Sequence, residues 1–180
     1  MARISIILPC HNGAAFIADA LDSVLDQSRP VDEIIVVDDG SADASAEICL
    51  SYGSRIRLIR QSRQGAGAAR NNGVWASSGD IIGFLDADDS WPLDSVAMRL
   101  GRMAATGADI VFGQVRQCRD KVGVAAPRIG PDMAGRLAGT MLVRRAIFEH
   151  VGGFDPSLPS GEVIEWGARA ADAGAVMADC

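Results

Sequence analysis

Residues 80–89 read DIIGFLDADD, an apolar run that ends in three carboxylates. A short apolar run bounded by turn residues is typical of a strand buried in a parallel sheet. Two earlier stretches have the same form: residues 4–12 read ISIILPCHN, and residues 33–41 read EIIVVDDGS. Each apolar segment is followed at once by polar side chains. The repetition predicts three buried strands whose carboxyl ends carry polar groups.

Helical patterns separate these strands. After the first strand, apolar side chains recur at helical spacing. Further helices are predicted over residues 43–52 and 65–77, and another from Pro92 onward, since proline favours the first helical turn. A half-buried strand is predicted over residues 55–59. Strands that alternate with helices predict an α/β fold, with a mostly parallel central sheet flanked by helices.

The second half of the chain has a less regular pattern. Its predicted elements are a strand at 108–117, a Gly- and Pro-rich loop or flap at 121–134, a strand and short helix at 139–151, and a helix at 162–173. We expect one domain over residues 1–180, with a regular half (1–107) and an irregular half (108–180). The chain ends at Cys180 within a strand-like segment, so we expect its C-terminal end to be incomplete.

Composition excludes several classes of protein. The net charge is −6 and the arginines are scattered, which argues against a nucleic-acid-binding surface. The four cysteines form no CxxC pair, so a zinc site is not expected. The N-terminus leads straight into a strand without a signal peptide, and no apolar run reaches the roughly 20 residues of a membrane span. We therefore expect reduced thiols and a cytoplasmic location, with any membrane association supplied by residues beyond Cys180.

The polar groups at the three strand ends predict a binding site. Parallel strands bring their carboxyl ends to one rim, where open sheets of this class bind ligands. Up to five carboxylates meet there, and like charges so close require compensation. A divalent cation such as Mg²⁺ or Mn²⁺ suits these oxygen ligands, and Arg70 is a second source of positive charge. Helix capping is the alternative, and we favour it for Asp43 and Asp89.

Three segments, in this order and spacing, resemble the family 2 glycosyltransferases: ISIILPCHNGAAFIADALDSVLDQ (4–27), EIIVVDDGSADAS (33–45) and GAGAARNNGVWASSGDIIGFLDADD (65–89). A later segment, GTMLVRRAIFEHVGGFDPSL (139–158), resembles the acceptor side of the family. The resemblance implies a GT-A (Rossmann-like) fold. It also implies transfer of a sugar, with inversion, from a nucleotide diphosphate to an acceptor hydroxyl. On this basis residues 1–107 are the nucleotide-sugar-binding half and residues 108–180 the acceptor-side half.

The resemblance also implies roles for individual positions. The donor would be a UDP-sugar, and Asp86 and Asp88 form the DxD element. Asp88 would ligate Mn²⁺ or Mg²⁺ on the diphosphate, with Asp86 near the ribose and a possible second ligand, and Asp89 is a candidate supporting acid. The remaining nucleotide-binding positions would be Pro9, His11 (in place of a common aromatic residue), Asn12, Asp39, Arg70 and Asn71.

The catalytic base is where this chain departs from the family. The base motif falls on residues 161–166, and Val163 occupies the position of the expected Asp. Glu162 and Glu165 remain as candidate bases, three residues apart on a predicted helix, with Glu162 preferred. The alternative is that both are solvated helix charges.

Other functions have weaker sequence support. GAGAAR at residues 65–70 matches a dinucleotide-binding fingerprint poorly, because it lacks the third glycine and follows the wrong strand. A nucleotidyltransferase would need a basic phosphate loop after the first strand, which CHNGAAF does not provide. A nucleotide-sugar-binding protein that has lost its base stays open because of Val163. We expect a glycan, lipid-linked or peptide acceptor, in surface polysaccharide or glycoconjugate synthesis. The segment 121–132 is a candidate lid over the donor.

Overall fold

The computed structural model describes residues 2–119, 128–158 and 160–180. In the first half, the strands are β1 (Ile4–Cys10), β2 (Glu33–Asp39), β3 (Arg57–Gln61) and β4 (Ile81–Phe84), and the helices are α1 (Ile17–Leu25), α2 (Ser45–Ser51), α3 (Ala66–Ala76) and α4 (Ser95–Thr106). In the second half, the strands are β5 (Ile110–Phe112), β6 (Gln114–Arg119), β7 (Arg128–Ala134), β8 (Met141–Arg144) and β9 (Met177–Asp179), and the helices are α5 (Arg145–Val151) and α6 (Glu162–Asp172). Single 3₁₀ turns occupy Gly53–Arg55 and Ala138–Thr140.

The central sheet has seven strands in the order β3-β2-β1-β4-β8-β5-β9. The β1–β2, β2–β3, β1–β4 and β5–β9 pairs are parallel. Strand β8 runs antiparallel to both of its neighbours, β4 and β5. A separate two-stranded sheet pairs β6 with β7. This mostly parallel sheet with flanking helices confirms the predicted fold class.

Side chains of β1 alternate between two hydrophobic cores, because successive residues of a strand point to opposite faces. Ile4, Ile6 and Leu8 pack in the core that also contains Ile17 and Leu21 of α1. Ile7 packs in the opposite core, whose members include Val74 of α3 and an aromatic cluster. That aromatic cluster consists of Phe84, Phe148, Phe154 and Trp166, in which the centroids of contacting rings are 4.4–5.9 Å apart.

Four predicted elements differ from the structure. Strand β3 spans Arg57–Gln61 rather than residues 55–59, because Gly53–Arg55 form a 3₁₀ turn. Helix α4 begins at Ser95 rather than Pro92, since Pro92–Asp94 form a turn in which Ser95 N–H donates to the Pro92 carbonyl at 3.0 Å. The strand predicted over residues 108–117 is divided at Gly113 into β5, which pairs with β8 and β9, and β6, which pairs with β7 in the separate sheet. Residues 128–134 of the predicted loop form strand β7. Pro131 is accommodated in this strand because the pairing between β6 and β7 shifts register opposite it, between Arg116 and Cys118. Residues 121–127 of the predicted lid lie outside the described residues.

Among the described residues, no helix is both long enough and apolar enough to cross a membrane.

Arg99 of α4 is a buried cation with incomplete pairing. Its side chain is 3% exposed, its Nε donates to the Ser95 carbonyl at 2.9 Å, and its guanidinium lies 4.0 Å from the centroid of the Trp91 ring. Within the described part of the chain, neither terminal nitrogen has a hydrogen-bond partner. Burial lowers the pKa of Arg99 to about 10, so the folded state disfavours the charge that this residue carries at neutral pH.

We expect Arg99→Met to raise the free energy of unfolding at pH 7 by about 1–2 kcal/mol. An apolar side chain of similar length removes the uncompensated charge, and this gain exceeds the loss of the Trp91 contact. Urea unfolding measures the change, with Arg63→Met, at an exposed arginine between β3 and α3, as the control, expected within about 0.5 kcal/mol of the parent chain. A loss of more than about 1 kcal/mol in the Arg99 variant would contradict the interpretation.

Candidate active site

A cleft of about 330 Å³ opens at the carboxyl ends of β1, β2 and β4. Its volume is within the usual range for small-molecule sites. The predicted meeting of the three polar clusters at one rim is confirmed, because all three contribute to the lining. The lining residues are Pro9, Cys10, His11, Asn12, Gly13, Phe16, Asp39, Ala66, Ala69, Arg70, Asp86, Ala87 and Asp88.

The loop after β1 is fixed to the loop after β2 by hydrogen bonds. Asn12 has a left-handed backbone conformation (φ 50°), which turns its side chain so that Oδ1 accepts the Ala42 N–H at 2.8 Å. Three more main-chain N–H groups donate across this junction at 2.9–3.0 Å: Asn12 to Ser41 Oγ, Gly13 to Ser45 Oγ and Ala14 to Asp43 Oδ2. One wall of the cleft is therefore held in place.

The two acids predicted to cap helices differ. Asp43 Oδ1 accepts the N–H of Ser45, the first residue of α2, at 3.0 Å, and it also accepts the Ser45 hydroxyl. These bonds, the Ser45 hydroxyl first among them, lower the pKa of Asp43. Asp89 cannot cap α4, because that helix begins at Ser95. The capping prediction for Asp89 was therefore wrong.

The hydrogen bonds of His11 determine its tautomer. Nδ1 lies 2.9 Å from the Asp39 carbonyl oxygen, which can only accept, so Nδ1 carries the proton. The Asn12 amide is oriented by the Ala42 N–H, and its Nδ2 therefore donates to His11 Nε2 at 3.1 Å. Both ring nitrogens of His11 are engaged with protein groups.

Asp39 holds the loop between β3 and α3. Its carboxylate is 4% exposed and accepts three hydrogen bonds at 2.8 Å, from Gln61 Nε2, Gln64 N–H and Gly65 N–H. It also lines the cleft. Asp39 thus organises the wall of the cleft next to the start of α3.

Arg70 connects the cleft to α6. Its guanidinium is 5% exposed and pairs with two carboxylates, Asp86 Oδ1 at 2.6 Å and Glu162 Oε1 at 2.5 Å. Such short, charge-assisted bonds fix both acids in orientation. The two partners lie on elements far apart in the chain, the β4–α4 loop and the first turn of α6. Arg70 is therefore the link between the metal-binding acids predicted from the sequence and the candidate base Glu162.

Three of the predicted catalytic and nucleotide-binding residues do not line the cleft: Glu162, which reaches it only through Arg70, Asn71 and Glu165. Asn71 exchanges two hydrogen bonds of 2.8 Å with the main chain of Phe154. Glu165 pairs with Arg169 at 2.6 and 2.9 Å, and Arg169 also donates to the carbonyls of Val151 and Gly153. The structure brings Glu162, and not Glu165, to Arg70.

Val163 occupies the position where an Asp was expected. Its side chain is 9% exposed and belongs to the core that contains the aromatic cluster. The first turn of α6 thus buries residue 163 and directs Glu162 toward Arg70.

The acids of the β4–α4 loop fit a divalent cation in part. Among the described residues, no group of three or more His, Cys, Asp or Glu side chains is placed to hold a metal. Asp88 is exposed at the cleft, and Asp86 uses one carboxylate oxygen for Arg70. Loss of hydration, with the neighbouring charges of Asp86 and Asp88, raises the pKa of Asp89. One or two carboxylates together with substrate phosphates are the usual ligands of Mg²⁺, so this loop suits a metal that binds with a phosphorylated ligand.

Comparison with known proteins determines the family. The family model described as glycosyl transferase family 2 matches residues 5–154. The chain belongs to this family. The glycosyltransferase AglE of Haloferax volcanii is 35% identical over 95% of this chain and 62% of its own length. The putative glycosyltransferase EpsH of Bacillus subtilis is 37% identical over 61% of this chain and 32% of its own length.

Solved structures share the fold of this family 2 chain. The S. aureus protein TarS (residues 1–349) has a TM-score of 0.79 and 19% identity over 99% of this chain and 58% of its own. It has been solved with UDP and with UDP-GlcNAc. The mannosyltransferase PcManGT from Pyrobaculum calidifontis, solved with GDP-Man and Mn²⁺, has a TM-score of 0.79 and 24% identity over 99% of this chain and 55% of its own. The chain thus spans about 60% of the length of relatives such as AglE and TarS.

Two features of the candidate site in this family 2 glycosyl transferase chain were not predicted from the sequence. Phe16 lines the cleft and is 54% exposed, although it directly precedes the buried face of α1. Its sequence signal was a large aromatic residue just ahead of the helical apolar spacing. The ion pair between Arg70 and Glu162 joins residues 92 positions apart, and no local pattern indicates it.

Proposed function

We propose that this chain transfers a sugar from a UDP-sugar to an acceptor hydroxyl, with inversion and with Mn²⁺ or Mg²⁺ bound. The observation that carries the proposal is the joint placement of Asp39, Arg70, Asp86 and Asp88 in one cleft, with Glu162 ion-paired to Arg70. A base-binding acid, a cation, the predicted metal ligands and a candidate proton acceptor are the groups that this reaction requires.

Asp88 and Asp86 would hold the metal together with the donor diphosphate. The metal would offset the negative charge that develops on the departing diphosphate. Asp88 is exposed and lines the cleft, and Arg70 orients Asp86 through a bond of 2.6 Å. Asp88 would thus be the main metal ligand, whereas Asp86 is anchored to the protein through Arg70.

Glu162 would act as the base. The acceptor oxygen forms a bond to the anomeric carbon of the donor sugar while the bond from that carbon to the diphosphate oxygen breaks. The acceptor hydroxyl gives its proton to the Glu162 carboxylate, and the nucleoside diphosphate leaves. Attack on the face opposite the leaving group inverts the anomeric configuration. Arg70 holds Glu162 in place for this step, because the Glu162 side chain is only 13% exposed and its Oε1 is bonded to Arg70.

Similar proteins support a nucleotide-sugar donor and a role in surface polysaccharide synthesis. TarS with UDP-GlcNAc and PcManGT with GDP-Man and Mn²⁺ share this fold, which supports a nucleotide-sugar donor and a metal. The putative teichuronic acid biosynthesis glycosyltransferase TuaG of Bacillus subtilis is 38% identical over 54% of this chain, which supports a surface polysaccharide pathway. We propose a cytoplasmic enzyme with a glycan, lipid-linked or peptide acceptor.

A second function is favoured by one observation, the burial of Val163 where an acid was expected. A protein that binds nucleotide sugars without transferring them would retain the cleft and lack the base. Donor turnover distinguishes the two functions, since both predict donor binding.

We expect Asp88→Ala to weaken the binding of UDP in the presence of Mn²⁺ by at least about 10-fold, the equivalent of one lost charge-assisted contact. Calorimetric titration of UDP with and without Mn²⁺ measures this, and the variant should no longer respond to the metal. Asp172→Ala, an exposed acid at the end of α6, is the matched control and should bind as the parent chain does. Full metal-dependent binding by the Asp88 variant would contradict the metal assignment. GDP is titrated in parallel, and a parent chain that binds GDP alone would overturn the uracil preference.

A further inference from the structure

The hairpin of β6 and β7 forms a small sheet of its own, separate from the seven-stranded sheet. Val115 of β6 and Met133 of β7 lie directly opposite each other in its register, so their side chains share one face of the hairpin. Met133 is 41% exposed, and Val115 is half-buried. A two-stranded hairpin is only marginally stable in water, so a partner that covers its apolar side chains would stabilise it.

Leu137 extends this apolar surface. A Cβ atom added to Gly135 would lie 3.7 Å from both Leu137 Cδ1 and Val115 Cβ, so these two side chains are neighbours. Leu137 is 52% exposed. The hydroxyl of the buried Thr140 lies 2.7 Å from the Gly135 carbonyl oxygen and 2.9 Å from the Leu137 carbonyl oxygen, which holds this segment in place. The surface formed by Val115, Met133 and Leu137 is called the hairpin face below.

The segments that carry the hairpin face have a positive net charge, although the whole chain has a net charge of −6. Strands β6 and β7 and residues 135–137 contain four basic side chains and a single acidic one: Arg116, Arg119, Arg128, Arg136 and Asp132. The side chain of Arg136 is 59% exposed, and its nearest approach to Asp179 is 3.7 Å, so water screens this ion pair strongly. Apolar and basic side chains in one short segment suit a partner that offers both apolar and anionic groups.

The hairpin face is close to the loop that carries Asp88 and Asp89. Leu137 precedes Gly139 by two residues, and a Cβ atom added to Gly139 would lie 3.4 Å from Asp89 Oδ2. The Gly139 carbonyl also accepts the Trp91 Nε1–H at 2.7 Å, which fixes this contact. Asp89 directly follows Asp88, which lines the cleft. A partner that covers the hairpin face therefore comes close to the cleft without entering it.

We infer that the hairpin face docks on the surface of an anionic lipid bilayer. Met133 and Leu137 enter the boundary between headgroups and acyl chains, and the arginines of the hairpin attract the lipid phosphates. An acidic polysaccharide would also be attracted by the arginines, but it has no apolar layer to cover Met133 and Leu137, so the bilayer is the better partner. The inference goes beyond sugar transfer, because it concerns a surface that does not line the cleft.

The test is co-sedimentation of the chain with vesicles of phosphatidylglycerol and phosphatidylcholine in equal parts, with vesicles of phosphatidylcholine alone in parallel. The parent chain is expected to sediment with the mixed vesicles, and added salt should release it because salt screens the charges. The double variant Met133→Gln with Leu137→Gln should lower the partition coefficient by at least about 10-fold, since two large apolar side chains no longer enter the bilayer. Arg136→Gln should lower it by about fivefold, the usual contribution of one basic residue near an anionic surface.

Leu50→Gln and Arg63→Gln are the matched controls and should partition as the parent chain does. Leu50 of α2 is 65% exposed, and the exposed Arg63 follows β3, which lies at the opposite edge of the sheet from β9. The inference is overturned if the parent chain does not sediment with the mixed vesicles, if it binds phosphatidylcholine alone equally well, or if the hairpin variants partition no differently from the controls. Retention on polygalacturonate without vesicle binding would overturn it in favour of an acidic polysaccharide. UDP titration of the same samples is a separate result, and a failure there would count against the proposed function and not against membrane docking.

Discussion

Glu162→Gln is expected to lower donor turnover by at least about 100-fold, the usual contribution of a general base. The Gln side chain has the same shape and still accepts a hydrogen bond from Arg70, but it cannot take up a proton at neutral pH. Release of UDP from UDP-GlcNAc in the presence of Mn²⁺, with water as the acceptor, measures the effect. Water needs the same base as an acceptor hydroxyl, so the assay does not depend on knowing the natural acceptor. UDP binding by the variant is expected to persist, because Gln can keep the hydrogen bond to Arg70, which lines the cleft.

Glu165→Gln is the matched control for this substitution. Glu165 lies on the same turn of α6, but it pairs with Arg169 rather than Arg70. Its variant should keep the parent rate of turnover and show at most a lower stability. If both variants release UDP at the parent rate, neither glutamate is the base. If the parent chain binds UDP-GlcNAc and never releases UDP, the binding protein without transfer is the better function.

Gly73→Ala is expected to reduce the free energy of unfolding by about 2–3 kcal/mol, the usual cost of overpacking a core. Gly73 lies in α3 where the helix packs on β1, and a methyl group there would collide with the side chain of Ile7. Ile7 is fully buried and β-branched, so its side chain has little freedom to move away. Any shift of α3 would also move Arg70, so weaker UDP binding should accompany the loss of stability. Chemical denaturation and UDP titration of the same samples measure both effects.

Other helical glycines provide the controls for Gly73. At Gly101 of α4 and Gly167 of α6, an added methyl group would meet no atom within 4 Å. Alanine at either position should raise the free energy of unfolding by up to about 1 kcal/mol, because alanine favours the helix. The double variant Ile7→Ala with Gly73→Ala should lose less than the two single losses combined, since one change makes room for the other. Additive losses would mean that the contact between α3 and β1 is not the cause.

The sequence was informative where one element carries its own signal. The apolar runs at residues 4–8, 33–37 and 80–85 predicted β1, β2 and β4, because strands buried on both faces need continuous apolar side chains. The polar groups that follow them are in the cleft because parallel strands end at one edge. Contacts between segments that are far apart in the chain could not be predicted from the sequence. The start of α4 depends on a turn over Pro92–Asp94, whose Pro92 carbonyl also accepts Gln27 Nε2 at 2.8 Å. Asn71 hydrogen-bonds to the main chain of Phe154, which is 83 residues away, and no local pattern indicates this contact.

The position of β8 has a consequence for dividing the chain. This strand comes from the second half of the sequence, yet it pairs directly with β4 from the first half, next to the loop that carries Asp86 and Asp88. A fragment that ended near residue 107 would leave β4 with an open edge and with apolar side chains on both of its faces. Such an edge invites pairing with other chains, so the fragment would be prone to aggregate. The two halves are therefore a poor choice of interchangeable modules for building chimeric enzymes, and exchanges of surface loops are the better route.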